Sequence, residues 1–118
     1  MGRFSAVVLA ALVSVSPTAS FAHAALVSAT PAQDSMVAAP RSIKLTFSEK
    51  IAPAFSGAGL TMDDGMAIGV AVKVSADGKT LTGTPTGAFM KGKYKLSWHV
   101  TSVDDGHRTE GAYSFTVK

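Results

Sequence analysis

The chain has 118 residues, no cysteine, and 11 Lys and Arg against 8 Asp and Glu, a formal net charge of +3. This length favours one domain with a single core. The lack of cysteine excludes disulfides and metal binding through thiolates. The basic residues are spread along the chain, as on a solvated surface, so we predict no nucleic-acid partner. No apolar stretch after residue 22 is long enough to cross a bilayer, which predicts no membrane insertion.

The first 22 residues have the pattern of a secretory signal peptide. A short basic start precedes an apolar run that is too short to span a bilayer, and a stretch of small residues follows. Ser20 to Ala22 places small residues three and one positions before a cut, so cleavage there makes His23 the first residue of a domain over 23–118. A cut before Ala25 satisfies the same rule and would remove His23.

Alternating apolar and polar residues predict β-strands through the rest of the chain. The predicted strands are Ala25 to Ala29, Ile43 to Phe47, Ala58 to Met62, Val70 to Val74, Thr80 to Thr84, Tyr94 to Val100 and Tyr113 to Val117. Turn residues separate them, among which Asp77-Gly78 is typical of a hairpin. About seven short strands in a chain of this length favour an all-β, antiparallel two-sheet sandwich. A small closed barrel is the main alternative.

A carboxylate and an imidazole lie two positions apart between the last two strands. Asp105 and His107 belong to a polar loop that we expect to run from Asp104 to Gly111. In extended chain, positions i and i+2 point to the same side, so the two side chains can converge on one point. On its own the pair has a simpler interpretation, in which the aspartates form a turn and the histidine is solvated.

A mature N-terminal histidine changes that interpretation. An α-amino group has a pKa of about 8, so a strongly binding metal can displace its proton at neutral pH. The amine and Nδ1 of His23 would close a six-membered chelate ring. With His107 and Asp105 they make three nitrogens and one oxygen, a set that suits tetragonal Cu(II), and Ni(II) less well.

Four stretches of the sequence together resemble the CopC family of periplasmic copper-binding, copper resistance proteins. The stretches are HAALVSATPAQDSMVAAP (23–40), IKLTFSEKI (43–51), GKYKLSWHVTSVDDGH (92–107) and GAYSFTV (111–117). The resemblance implies an immunoglobulin-like, Greek-key β-sandwich in the periplasm. It also implies Cu(II) held by His23, Asp105 and His107 for copper carriage, homeostasis or resistance, with a membrane copper importer as a partner.

The chain departs from the family pattern at two places. Many members read Ser-x-Asp-x-His, whereas one more residue separates Ser102 from His107 here, so Asp104 is an alternative ligand to Asp105. Some members carry a methionine-rich segment that holds Cu(I), but here only Met62 and Met66 lie close together. We expect Met62 to pack in the core and predict no Cu(I) site.

Two further residues and the class of protein complete the predictions. Glu49 follows the predicted strand Ile43 to Phe47, where the family often has an acidic residue near the metal, so the resemblance implies an outer-shell or weak axial role for it. His99 follows Trp98 and is expected to face outward, away from the core. No nucleophile with an adjacent base is evident, and the protein would fill all four equatorial positions, so we predict that it is not an enzyme. The alternatives are a copper-dependent oxidase or monooxygenase with a histidine brace, and a metal-free interaction module.

Overall fold

The computed structural model describes residues 24–118, which form two packed β-sheets. The strands are β1 (Leu26–Thr30), β2 (Met36–Val37), β3 (Ile43–Phe47), β4 (Gly57–Met62), β5 (Ala67–Ile68), β6 (Val70–Val74), β7 (Thr80–Pro85), β8 (Gly92–Thr101) and β9 (Arg108–Val117), with a 3-10 turn at Pro53–Phe55. One sheet has the order β1-β3-β7-β6 and the other β2-β9-β8-β4-β5. The predicted β-sandwich is confirmed. Within residues 24–118, no helix is long and apolar enough to cross a membrane.

The core lies between the two sheets and is built from alternate residues of each strand. In β8, the four residues Tyr94, Leu96, Trp98 and Val100 are buried, while the residues between them are exposed or half-buried. Phe47 of β3 meets Trp98 edge to face, with ring centroids 5.1 Å apart. This aromatic contact crosses the core and joins the two sheets, each of which contributes one ring.

Three details differ from the sequence-based expectation. The short strands β2 and β5 were not predicted, because two residues are too few to show an alternation. The pairing of β2 with β9 is parallel, so the second sheet is mixed. The loop expected over Asp104 to Gly111 is shorter, because β9 already begins at Arg108.

The predicted hairpin at Asp77-Gly78 is confirmed and joins β6 to β7. Gly78 adopts φ 78°, a left-handed conformation that suits glycine. Asp77 accepts hydrogen bonds from the Ser75 hydroxyl and from the backbone N–H of Lys79. These bonds, with the Ser75 bond the larger cause, hold the pKa of Asp77 below its usual range.

The phenol of Tyr113 ties β9 to the turn that follows β1. Tyr113 is 8% exposed, and its hydroxyl donates a hydrogen bond of 2.5 Å to the carbonyl of Pro31. Burial raises the pKa of Tyr113 to about 12, because the charged phenolate would lose its hydration. The folded protein therefore holds this proton more tightly than the unfolded chain does.

This shift predicts a stability that depends on pH in the alkaline range. The stabilisation is fully present below the unfolded pKa of about 10 and is lost as the pH rises through about 12. In Tyr113→Phe, the free energy of unfolding should fall less than in the wild type as the pH rises from about 10 to about 12. At pH 7 it should cost about 1 kcal/mol, because the Pro31 carbonyl loses its donor. Urea unfolding of both proteins at several pH values measures this, and parallel pH curves would contradict it.

Candidate metal centre

A short turn between β8 and β9 carries both described residues of the predicted metal-binding set. The N–H of Ser102 donates to the carbonyl of His107 at 3.0 Å, and the N–H of Gly106 donates to the carbonyl of Ser102 at 2.9 Å. Gly106 has φ 70°, a left-handed conformation that favours glycine. These bonds close the turn between the two long strands and so fix its shape.

Asp105 and His107 lie together in this turn. The Asp105 carboxylate accepts a hydrogen bond from the backbone N–H of His107 at 3.0 Å, and both residues are exposed. The left-handed Gly106 between them means that they are neighbours in a closed turn, not in the extended chain that the spacing suggested. Asp104 is also exposed in the turn. The geometry thus brings a carboxylate and a histidine to one end of the sandwich.

The segment 48–51, which follows β3, connects this turn to the first described residues. The N–H of Val103 donates to the carbonyl of Lys50 at 2.9 Å. The N–H of Ser48 donates to the carbonyl of Ala25, and the N–H of Ala25 donates to the Ser48 hydroxyl, both at 2.9 Å. The start of the domain and the β8–β9 turn are therefore bonded to positions only two apart in one segment.

His23 lies outside the described residues. Among residues 24–118, no three His, Asp or Glu side chains come together in a group that could hold a metal ion. The next residue, Ala24, is fully buried in the hydrophobic core. Glu49 is half-buried and lies in segment 48–51, between the residue that bonds Ala25 and the residue that bonds the turn.

The third histidine lies on the outer surface of the second sheet. His99 is paired with Glu110 on one side and Gly57 on the other. Its ring rests against Gly57, where an added Cβ would lie 2.9 Å from Cε1 of the imidazole. The prediction that His99 faces outward is confirmed, since its neighbour Trp98 is 9% exposed and faces the core.

The methionines are divided between the core and the surface. Met62 is half-buried and packs against the core, as predicted. Met66 and Met90 are 52% and 59% exposed.

Two buried hydroxyls beside the turn escaped the sequence-based prediction. Within residues 24–118, the hydroxyl oxygens of Ser102 and Thr109 are buried and have no hydrogen-bond partner. Single serine and threonine residues at the ends of strands are too common to signal a site. Only the pairing of β8 with β9 reveals that these two lie close to His107.

The fold and the turn define a small β-sandwich domain with an Asp–His pair at one end. The protein-family model named CopC domain matches residues 26–118, so the chain belongs to the CopC family. It is 39% identical to copper resistance protein C of Xanthomonas campestris pv. juglandis over 112 residues, which cover 89% of this chain and 87% of that protein. The protein of the same name from Pseudomonas syringae pv. tomato is 41% identical over 104 residues, covering 82% of each.

Solved structures agree with this assignment. The crystal structure of PcoC, a methionine-rich copper resistance protein from Escherichia coli, matches with a TM-score of 0.73 and 40% identity, covering 82% of this chain and 100% of that one. CopC from Methylosinus trichosporium OB3b matches with a TM-score of 0.75 and 35% identity, covering 81% of this chain and 94% of that one. The similarity thus extends through nearly all of each solved chain.

The shape of the turn predicts that Gly106 contributes to the stability of the fold. Gly106→Ala should lower the free energy of unfolding by about 1 kcal/mol, because a side chain disfavours the left-handed conformation. Apart from its two chain neighbours, nothing lies within 4 Å of a Cβ added at Gly106, so the cost is conformational. Gly59→Ala is the matched control, since Gly59 is equally open and has no positive φ. Equal urea midpoints for the two variants would contradict the prediction.

Proposed function

We propose that this protein binds Cu(II) in the periplasm, through the α-amine and imidazole of a mature N-terminal His23 together with Asp105 and His107. Its role would be copper carriage, homeostasis or resistance. Membership of the CopC family and the names of its relatives, copper resistance protein C, support this function. The signal-peptide pattern of residues 1–22 supports export and the cleavage that would free the amine.

The observation that carries the proposal is the attachment of both the start of the domain and the β8–β9 turn to segment 48–51. Ala25 is bonded to Ser48, and Val103 of the turn is bonded to Lys50. His23 is covalently attached to Ala24, and each residue adds at most about 3.8 Å of chain. The His23 donors can therefore reach the end of the sandwich at which Asp105 and His107 lie.

The donor set fits Cu(II) by its chemistry. Imidazole and amine nitrogens with one carboxylate oxygen suit a tetragonal Cu(II) ion, and the chain has no cysteine to favour a softer metal. The bond from the His107 N–H to Asp105 holds the carboxylate beside the second histidine before any metal arrives. We assign Glu49, in segment 48–51, a role outside the coordination sphere, in which its carboxylate would orient a ligand.

A carrier explains these features better than an enzyme does. Four protein donors would fill the equatorial positions of Cu(II), which leaves no open equatorial position for a substrate. A copper-dependent oxidase or monooxygenase would need such a position, which Asp105 occupies in our proposal. A metal-free interaction module would show no stoichiometric Cu(II) binding in native mass spectrometry. A membrane copper importer is the partner that the family suggests.

The proposal predicts that Cu(II) binding depends on the position of the free amine. One extra alanine before His23 in the mature protein should weaken binding on the order of 100-fold, about 2.8 kcal/mol, because amine and imidazole no longer share a chelate ring. Competition titration with a chromophoric chelator measures the affinity, after mass spectrometry has established the mature N-terminus. His107→Ala should also weaken binding, while His99→Ala should not. Unchanged binding with the extra alanine would refute the N-terminal ligand.

A second prediction distinguishes the two aspartates of the turn. Asp105→Asn should weaken Cu(II) binding by at least about tenfold. Asparagine keeps an oxygen that can accept the His107 N–H, so the change removes the charged ligand and not the turn. Asp104→Asn is the matched control and should bind like the wild type. If the Asp104 variant loses more affinity, the ligand is Asp104.

A further inference from the structure

The inward-facing residues of β9 lead from the core to His107. Tyr113, Phe115 and Val117 are buried at alternate positions of this strand. Thr109 and His107 continue the same alternation toward the turn, where Thr109 is half-buried and His107 is exposed. His107 therefore lies in line with the inward-facing residues of β9, at the position where this row becomes exposed to solvent.

The pairing with β8 places a second row of residues beside this one. Val100 is paired with Thr109, and one step further the Ser102 N–H donates to the His107 carbonyl at 3.0 Å. Residues directly opposite in an antiparallel pair project to the same face. Ser102 thus lies across from His107, and Thr109 lies two residues along from it on that face.

The hydroxyls of these two neighbours are the buried polar groups described above as lacking a partner. Ser102 is 1% exposed, and within residues 24–118 neither its hydroxyl oxygen nor that of Thr109 makes a hydrogen bond. A buried hydroxyl without a partner destabilises a fold, and such groups are uncommon enough that each needs an explanation. Both of these lie beside the same candidate ligand.

We propose that Ser102 and Thr109 are positioning residues for His107. One nitrogen of the His107 ring would bind the metal, and the hydroxyls would accept a hydrogen bond from the N–H of the other ring nitrogen. A histidine that binds a metal almost always donates its other N–H to an oxygen, and this bond fixes both the tautomer and the angle of the ring. The inference rests on the proposed function, because the hydroxyls gain the His107 ring as a partner when the protein binds copper.

The test compares copper binding with the stability of the metal-free protein. In the double variant Ser102→Ala/Thr109→Val, both hydroxyls are lost while the shapes of the side chains are nearly kept. We expect Cu(II) affinity to fall about 10- to 100-fold. The melting temperature of the metal-free protein should be unchanged or raised, because no hydrogen bond of that state is lost.

A spectroscopic readout separates positioning from a structural role. The Cu(II) electron paramagnetic resonance spectrum of the double variant should shift, since the imidazole changes its angle to the metal. Thr109→Ser, which keeps the hydroxyl and loses the methyl group, should bind as the wild type does. Thr116→Val is the matched control, a half-buried threonine at the far end of β9 that is paired with Lys93.

Three results would overturn the inference. They are wild-type affinity in the double variant, a spectrum identical to that of Thr116→Val, and a lower melting temperature of the metal-free double variant. His107→Ala, measured in parallel, distinguishes a failure of the positioning role from a failure of the proposed copper-binding function. If His107→Ala loses copper while the double variant does not, only the positioning role fails. If His107→Ala binds copper like the wild type, the proposed function fails as well.

Discussion

The hydrogen bonds made by segment 48–51 are the constraint on which the candidate site depends. This short stretch leaves β3 and bonds Ala25 through Ser48, and then the β8–β9 turn through Lys50. Two parts of the chain that are about 80 residues apart thereby meet at one end of the sandwich. Without these bonds the Asp–His turn would be an ordinary exposed hairpin end, and the start of the domain would have no fixed relation to it.

Most of the fold could be predicted from the sequence because burial on one face leaves a clear alternation. Ile43 to Phe47 and Tyr94 to Val100 were found in this way, and their alternate residues form the core. The two-residue strands carry no such alternation, and they form because an edge of the second sheet is available to pair with them. The early start of β9 was missed because its first residues, Arg108 to Ala112, show no alternation of apolar and polar residues.

The residues of the candidate site likewise differ in whether the sequence could predict them. Asp105 and His107 could be singled out from residue type and from the family resemblance, and the structure has both in one turn, although a left-handed Gly106 separates them where the spacing argument assumed extended chain. The buried hydroxyls of Ser102 and Thr109 could not, because their relation to His107 follows from strand register and from the absence of other partners within residues 24–118. His23 is a third kind of case, since its proposed role depends on a proteolytic cut and not on folding alone.

The hairpin that carries Asp105 and His107 has a consequence for when the site forms. Thr101 and Arg108 are paired across a short turn, so this half of the site consists of contacts that are local in sequence and close with little loss of chain entropy. The half that includes the start of the domain requires β1 to join β3, whose pairing spans a longer stretch of chain. The proposed ligand set is therefore complete only after the first strand has docked. Copper bound by all of these ligands would mark a chain that has finished folding, because a partly folded chain would offer the His23 chelate and the hairpin pair only as two separate, weaker sites.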